Sequence, residues 1–149
     1  MSDDLELETE GPDPDLVARA SADAMWAGDK ASAALGMQLI DVGPGYALMS
    51  MEVTEAMTNG HGTAHGGFIF ALADSAFGFA CNSHGEKAVA QHCSVTYLRP
   101  GRLGEHLVAA AHEVAREGRS GIYDINVSSD GETVAEFRGH SRTVGGRWA

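Results

Sequence analysis

Polar and apolar positions change period several times along the chain, and each change marks an element. Leu16, Val17, Ala20, Ala24 and Met25 recur at helical spacing behind Asp13 and Pro14. An acid that can cap, followed by a proline whose fixed φ suits a first turn, predicts a helix start there, with Gly28 and Gly36 placed to interrupt and stop it. The period then falls to two: Tyr46, Leu48, Ser50, Glu52 and Thr54 alternate with Ala47, Met49, Met51 and Val53. This predicts a strand, partnered across the Gly43-Pro44-Gly45 turn by the segment before it. Residues 55–65 read as a loop. Residues 66–83 are apolar almost throughout and predict a buried helix ended by Gly85. Strand-like segments follow at 87–98, 104–117 and 120–144, the last folded into a hairpin at residues 128–131, where Asp130-Gly131 is the turn signal. Strands on both sides of a single apolar helix predict an α+β domain, with a curved antiparallel sheet wrapped around that helix.

At 149 residues the chain is long enough for one full core. Its net charge of −11 is concentrated in residues 1–15, which hold seven acids and no base; the remainder carries 14 acids against 10 bases, or −4. Residues 1–15 are therefore expected to be an acidic, disordered leader, and 16–149 the domain. A mildly acidic body argues against nucleic-acid binding, which needs a basic excess. Most of the bases lie at or beyond Arg99, which leaves room for a local patch that meets a small phosphorylated ligand. No apolar run reaches the ~18 residues of a membrane span, and the first residues have neither the basic region nor the apolar core of a secretory signal. Cys81 and Cys93 sit in apolar elements, as reduced thiols of a cytoplasmic protein would.

Within the apolar helix stands one acid, Asp74. An ionised carboxylate in such a segment costs several kcal/mol unless it is paired, hydrogen-bonded or facing a cavity. It is therefore either a structural hydrogen-bonding group or a general base or nucleophile in a dry cleft. Just before the helix, His65-Gly66-Gly67 offers unpaired N–H groups where the helix dipole favours an anion. This is the make-up of an oxyanion hole, and equally of a tight loop with His65 as a packing or capping residue. Gly66 and Asp74 are eight residues apart, or ~12 Å along a helix axis. If both act on one bond they come from different subunits, so the catalytic reading predicts an obligate dimer.

Other chemistries find less support. His61 and His65 lack a third ligand at metal spacing, and the other histidines are scattered. Ser75 lies in no nucleophile elbow, neither cysteine has an activating setting, and the glycines form no P-loop or dinucleotide fingerprint.

The segments NGHGTAHGGFIFALADSAFGFACNS, VTYLRPG, GIYDINV and VAEFRGHSRTVGG together resemble the hotdog-fold acyl-CoA thioesterases, in their phenylacetate-degradation (PaaI-type) branch, from about Ala22 to Gly146. The resemblance implies a long central helix wrapped by an antiparallel sheet, and dimers that share active sites and pair into tetramers. It also implies hydrolysis of an acyl-CoA without metal or cofactor, coenzyme A being part of the substrate. By the same resemblance Asp74 is the catalytic carboxylate, as base or nucleophile, and Gly66 N–H the oxyanion donor. His65 shapes the site, and Asn59 holds substrate or water. Gly67 and Ser75, beside these residues, are expected to contact substrate, and Arg99, Arg119 and Arg138 either meet the coenzyme A phosphates or are solvated charges at strand ends. The position where some relatives carry a water-orienting hydroxyl is Ala90 here, so no residue takes that role. Phe68, Phe70, Phe77, Phe79 and Tyr97 either line a pocket for an aryl-acetyl or hydroxylated aryl group or belong to the core, and medium-chain acyl groups stay open. The rivals are a hotdog hydratase or dehydratase, disfavoured because the first histidine after Asp74 is His84, and a non-catalytic acyl-CoA-binding module.

Overall fold

The computed structural model describes residues 11–149, so the expected acidic leader lies outside the described residues up to Glu10. Helix α1 (Pro14–Gly28) opens where the sequence places it: Asp13 accepts a hydrogen bond from Asp15 N at 3.0 Å, and Pro14 fills the first turn. The interruption at Gly28 is a restart, because Asp29 caps a second short helix, α2 (Lys30–Ala34), by accepting from Ser32 N at 3.0 Å. Strands β1 (Gln38–Gly43) and β2 (Tyr46–Glu52) follow, then helix α3 (Gly66–Cys81). Strands β3 (Glu86–Tyr97), β4 (His106–Glu117), β5 (Ser120–Ser129) and β6 (Glu132–Arg147) complete the chain. The β5–β6 turn has positive φ at both Asp130 (51°) and Gly131 (82°), the backbone a tight hairpin with right-handed twist requires.

The six strands form one antiparallel sheet in the order β1-β2-β4-β5-β6-β3, curled around α3 as the hotdog resemblance implies. The core lies between the two. Ile69, Leu72, Ala73, Ala76, Phe77 and Ala80 of α3 are buried against inward residues of the sheet, among them Met49, Leu107, Tyr123, Ile125 and Phe137. Phe77 is at the centre, its ring centroid 5.7 Å from that of Tyr123 and 5.9 Å from that of Phe137. A Cβ on Gly139 would fall 2.7 Å from the Phe77 ring, so the helix lies this close because β6 has no side chain at that point. On its other flank α3 meets α1, where Trp26 packs on Phe79 with centroids 6.1 Å apart.

Burial of α3 is not complete, which corrects the expectation of a helix buried all round. Gly67 is exposed, and Phe70, Ala71, Asp74, Ser75 and Gly78 are only half-buried, a strip at helical spacing along one side. The sheet covers one face and α1–α2 touch another; in a single protomer little covers the third.

Beyond α3, Asn82 ties three segments together. Its amide donates to Gly78 O (2.9 Å) and Ala88 O (3.1 Å), while its carbonyl accepts from Ala88 N (2.8 Å) and Trp148 Nε1 (2.8 Å). Nearby, Glu113 accepts from His84 Nε2 at 2.7 Å and Tyr123 OH at 3.0 Å. Partial burial pushes this carboxyl up, but the two hydrogen bonds and the charges of His84 and Arg116 outweigh it and hold it below the usual range.

Gly139→Ala should force the Phe77 ring off the sheet and cost about 1–3 kcal/mol, the usual range for overpacking a filled core. The check is the midpoint of thermal or urea unfolding, and an unchanged midpoint would show that the helix has slack at this contact.

Candidate active site

The first turn of α3 is prepared by the loop before it. Asn59 Oδ1 accepts from His61 N (2.9 Å) and Thr63 N (3.2 Å), and Asn59 N donates to Thr63 O (2.8 Å), which closes the glycine-rich segment on itself. His65 N donates to Met57 O and Ala64 N to Gly101 O, each at 2.8 Å, so the loop is bound down on both sides of the helix entrance. His65 is the N-cap residue, extended at φ −58° and ψ 140°, with no capping bond from its exposed side chain.

Among the described residues the N–H groups of Gly66 and Gly67 have no acceptor, while Phe68 N already turns back to His65 O at 3.0 Å. Two amides thus face outward at the positive end of the helix dipole, where charge building on an oxygen would be met. Nothing lies within 4 Å of the place a Cβ would take on Gly67, so a ligand can approach that backbone. Gly66 differs: its carbonyl accepts a hydrogen bond from Tyr97 OH at 2.8 Å, and the Tyr97 ring occupies the space a side chain would need. Gly66, Ile69, Tyr97, Leu98, Arg99 and Pro100 border an open groove beside this turn.

Asp74 sits two turns further along, on the half-open strip. No hydrogen bond or ion pair reaches its carboxylate among the described residues, and burial raises its affinity for a proton above that of an ordinary aspartate. Its charge in turn reaches Cys81 and Cys93. With burial as the larger cause, it helps push the Cys81 thiol up to about 12 and raises Cys93, so neither cysteine is an activated nucleophile.

The remaining predicted residues are dispersed. The Ser75 hydroxyl is 2.9 Å from that of Ser32, which donates to Asp29 Oδ2 at 2.8 Å; it fastens α3 to α2. Arg99 borders the groove but is held by Glu105 (3.3 Å) and Glu132 (3.4 Å), which compensate its charge locally. Arg138 makes two bonds to Asp124, at 2.6 and 2.8 Å, next to the inward-facing Phe137 and so on the opposite face of the sheet from α3. Arg119 lies near Cys81 and His84, beside the far end of α3, and donates to Thr143 O. Phe77 and Phe79 are core, while Phe68 and Phe70 are half-buried and Tyr97 exposed. His61 and His65 gather no third partner: among the described residues no group of three metal-binding side chains comes together. The bond from Tyr97 to Gly66 O has no local sequence signal, because the two residues are 31 positions apart and meet only through the sheet.

An outward-facing helix N-terminus and an unpartnered acid on one helix, inside a curled antiparallel sheet, define a class. The chain belongs to the thioesterase superfamily, whose family model matches residues 61–136. It is 46% identical to the acyl-coenzyme A thioesterase PaaI of Escherichia coli (strain K12), over 85% of this chain and 91% of that protein. The solved structure of E. coli PaaI, from the phenylacetic acid degradation operon, superposes with a TM-score of 0.89 over 91% of this chain and 99% of that one, at 42% identity. The structure of smu.793 from Streptococcus mutans bound to acetyl-CoA is similar at a TM-score of 0.72 and 28% identity, covering 74% of this chain and 90% of that one.

The raised proton affinity of Asp74 has a consequence for stability. Between its unfolded pKa and its higher folded pKa the native state binds the extra proton, so stability falls as pH rises through that interval. At neutral pH the ionised acid is therefore a net cost, and Asp74→Asn should melt at a higher temperature than the wild type. The gap should close as the pH falls below the carboxylate range. A mutant that melts lower at pH 7 would mean that Asp74 is a structural partner instead.

Proposed function

We infer that this protein hydrolyses acyl-CoA thioesters at sites shared between two copies of the chain. The observation that carries this reading is the pairing, on one helix, of two acceptor-free amides with a desolvated and unpartnered carboxylate ~12 Å away, too far apart to touch one carbonyl. A second copy resolves the separation. Among the described residues edge strand β3 has no partner on its outer side, and its 12 residues are exposed or half-buried, which suits it to pair with another strand. Pairing there would bring the half-open strips of two α3 helices toward each other and set the helix entrance of one against Asp74 of the other.

In such a site the thioester oxygen lies against Gly66 and Gly67 N–H. Asp74 of the second copy takes a proton from a water whose oxygen attacks the carbonyl carbon. The tetrahedral oxyanion is stabilised by the amides, and its collapse breaks the C–S bond; Asp74 returns its proton to the departing sulfur, so that coenzyme A leaves as the thiol and the acyl group as the acid. Direct attack by Asp74, followed by hydrolysis of the anhydride, uses the same carboxylate in the same place. Neither route asks for a metal or cofactor. His65 and the Asn59 loop flank the first turn of α3 and would shape the approach. The likeness to E. coli PaaI, a protein of the phenylacetic acid degradation operon, supports an aryl-acetyl thioester as the substrate. Two free cysteines are consistent with the cytoplasm.

The test is thiol release from phenylacetyl-CoA, a hydroxylated aryl-CoA and medium-chain acyl-CoAs. Asp74→Asn should lower kcat/KM by about 10²-fold or more on the best substrate, the scale of a lost general base. Sedimentation should find at least a dimer, and an active monomer would sink the shared site. Tight acyl-CoA binding without turnover would instead indicate a binding module.

A further inference from the structure

The hydrogen bond from Tyr97 to the first turn of α3 has a role that packing alone does not explain. Gly66 C=O and Gly67 N–H belong to one planar peptide unit, so what binds the oxygen also fixes and polarises the N–H. Tyr97 OH reaches that oxygen at 2.8 Å. The ring adds a steric constraint: a Cβ on Gly66 would lie 2.9 Å from Tyr97 Cζ and 3.1 Å from its oxygen. A side chain at position 66 would therefore have to displace the ring, which blocks one side of the peptide while the hydroxyl holds the other end. Tyr97 is the last residue of β3, anchored by its pairing with Ala135, so the constraint is delivered from the sheet to the helix entrance.

We propose that Tyr97 is a positioning residue for the oxyanion donors, holding the Gly66–Gly67 peptide so that Gly67 N–H, beside Gly66 N–H, points at the thioester oxygen. The proposal rests on the hydrolase reading above. Hydrogen bonds in series strengthen one another, so a carbonyl that accepts from Tyr97 makes Gly67 N–H the better donor when negative charge builds on the substrate. Although the side chain is largely exposed, partial desolvation raises the Tyr97 phenol above its usual range, which favours the protonated, donating hydroxyl. Tyr97 itself need not touch the reacting atoms. Removing its hydroxyl should weaken binding of the transition state more than binding of the ground state.

Tyr97→Phe keeps the ring and deletes the hydrogen bond. On the best acyl-CoA of the panel it should lower kcat roughly fivefold, the size of one neutral hydrogen bond, with KM within about twofold of wild type. Its unfolding midpoint should stay close to that of the wild type, whereas a merely structural tyrosine would shift the midpoint and spare kcat. Labelling the glycines with 15N gives a readout that needs no turnover: in Tyr97→Phe the Gly67 amide proton should move upfield, away from the more polarised position. An unchanged kcat, a raised KM at unchanged kcat, or an unmoved Gly67 amide would each overturn the proposal. Failure of the hydrolase reading would show itself differently, as a wild type that turns over no acyl-CoA. The Gly67 shift would still decide whether Tyr97 holds this peptide.

Discussion

Sixteen mostly apolar residues in one helix must be taken out of water, and a curled sheet can cover only the side of the helix that faces it. Much of the rest of the architecture follows from that one-sided burial. Phe77 can reach Tyr123 and Phe137 because Gly139 leaves β6 bare beneath it. With its depth fixed, α3 is held lengthwise by Asn82 at one end and by the loop around Asn59 at the other. The strip left uncovered is the one that carries Asp74, and among the described residues the sheet ends in the unpaired edge of β3. The same constraint therefore packs one side of the helix and leaves the strip with Asp74 open.

The electrostatics run against stability in the same region. A half-buried carboxylate without a partner and two amides without acceptors are features that an ordinary core would eliminate. Here they share one helix but not one space, so in a single chain they cannot satisfy each other. By contrast, Glu113, Glu105 and Asp124 are each held below the usual carboxylate range by hydrogen bonds from neighbouring groups. Among the described residues the fold supplies partners to those acids and none to Asp74, which sets it apart from them.

Much of the fold was legible in the chain because the signals were local. The cap at Asp13, the Gly43–Gly45 turn and the Asp130-Gly131 hairpin each rest on neighbours in sequence. The restart at Asp29 was harder to see, since a single capped turn has no period of its own. The anion-receptive entrance at Gly66 and the anomaly of Asp74 could also be read, because a helix N-terminus and an acid in an apolar run are defined by sequence alone. The arginines could not. Arg99 is neutralised by Glu105 and Glu132, and Arg138 by Asp124 across the strand pair, through contacts 6 to 33 positions away that composition does not reveal. Ser75, next to the acid, turned out to fasten α3 to α2 through Ser32.

The sequence by itself determined the elements, their order, the acid in the apolar helix and the ~12 Å that separates it from the helix entrance, since rise per residue is a property of any α-helix. Only the tertiary structure decided which side of that helix stays open, which arginines are already paired, and that Tyr97 closes on Gly66 O. Those outcomes depend on strand order and register, which bring residues dozens of positions apart into contact. Hydrophobic period specifies which face of an element turns inward, but not what it will meet there.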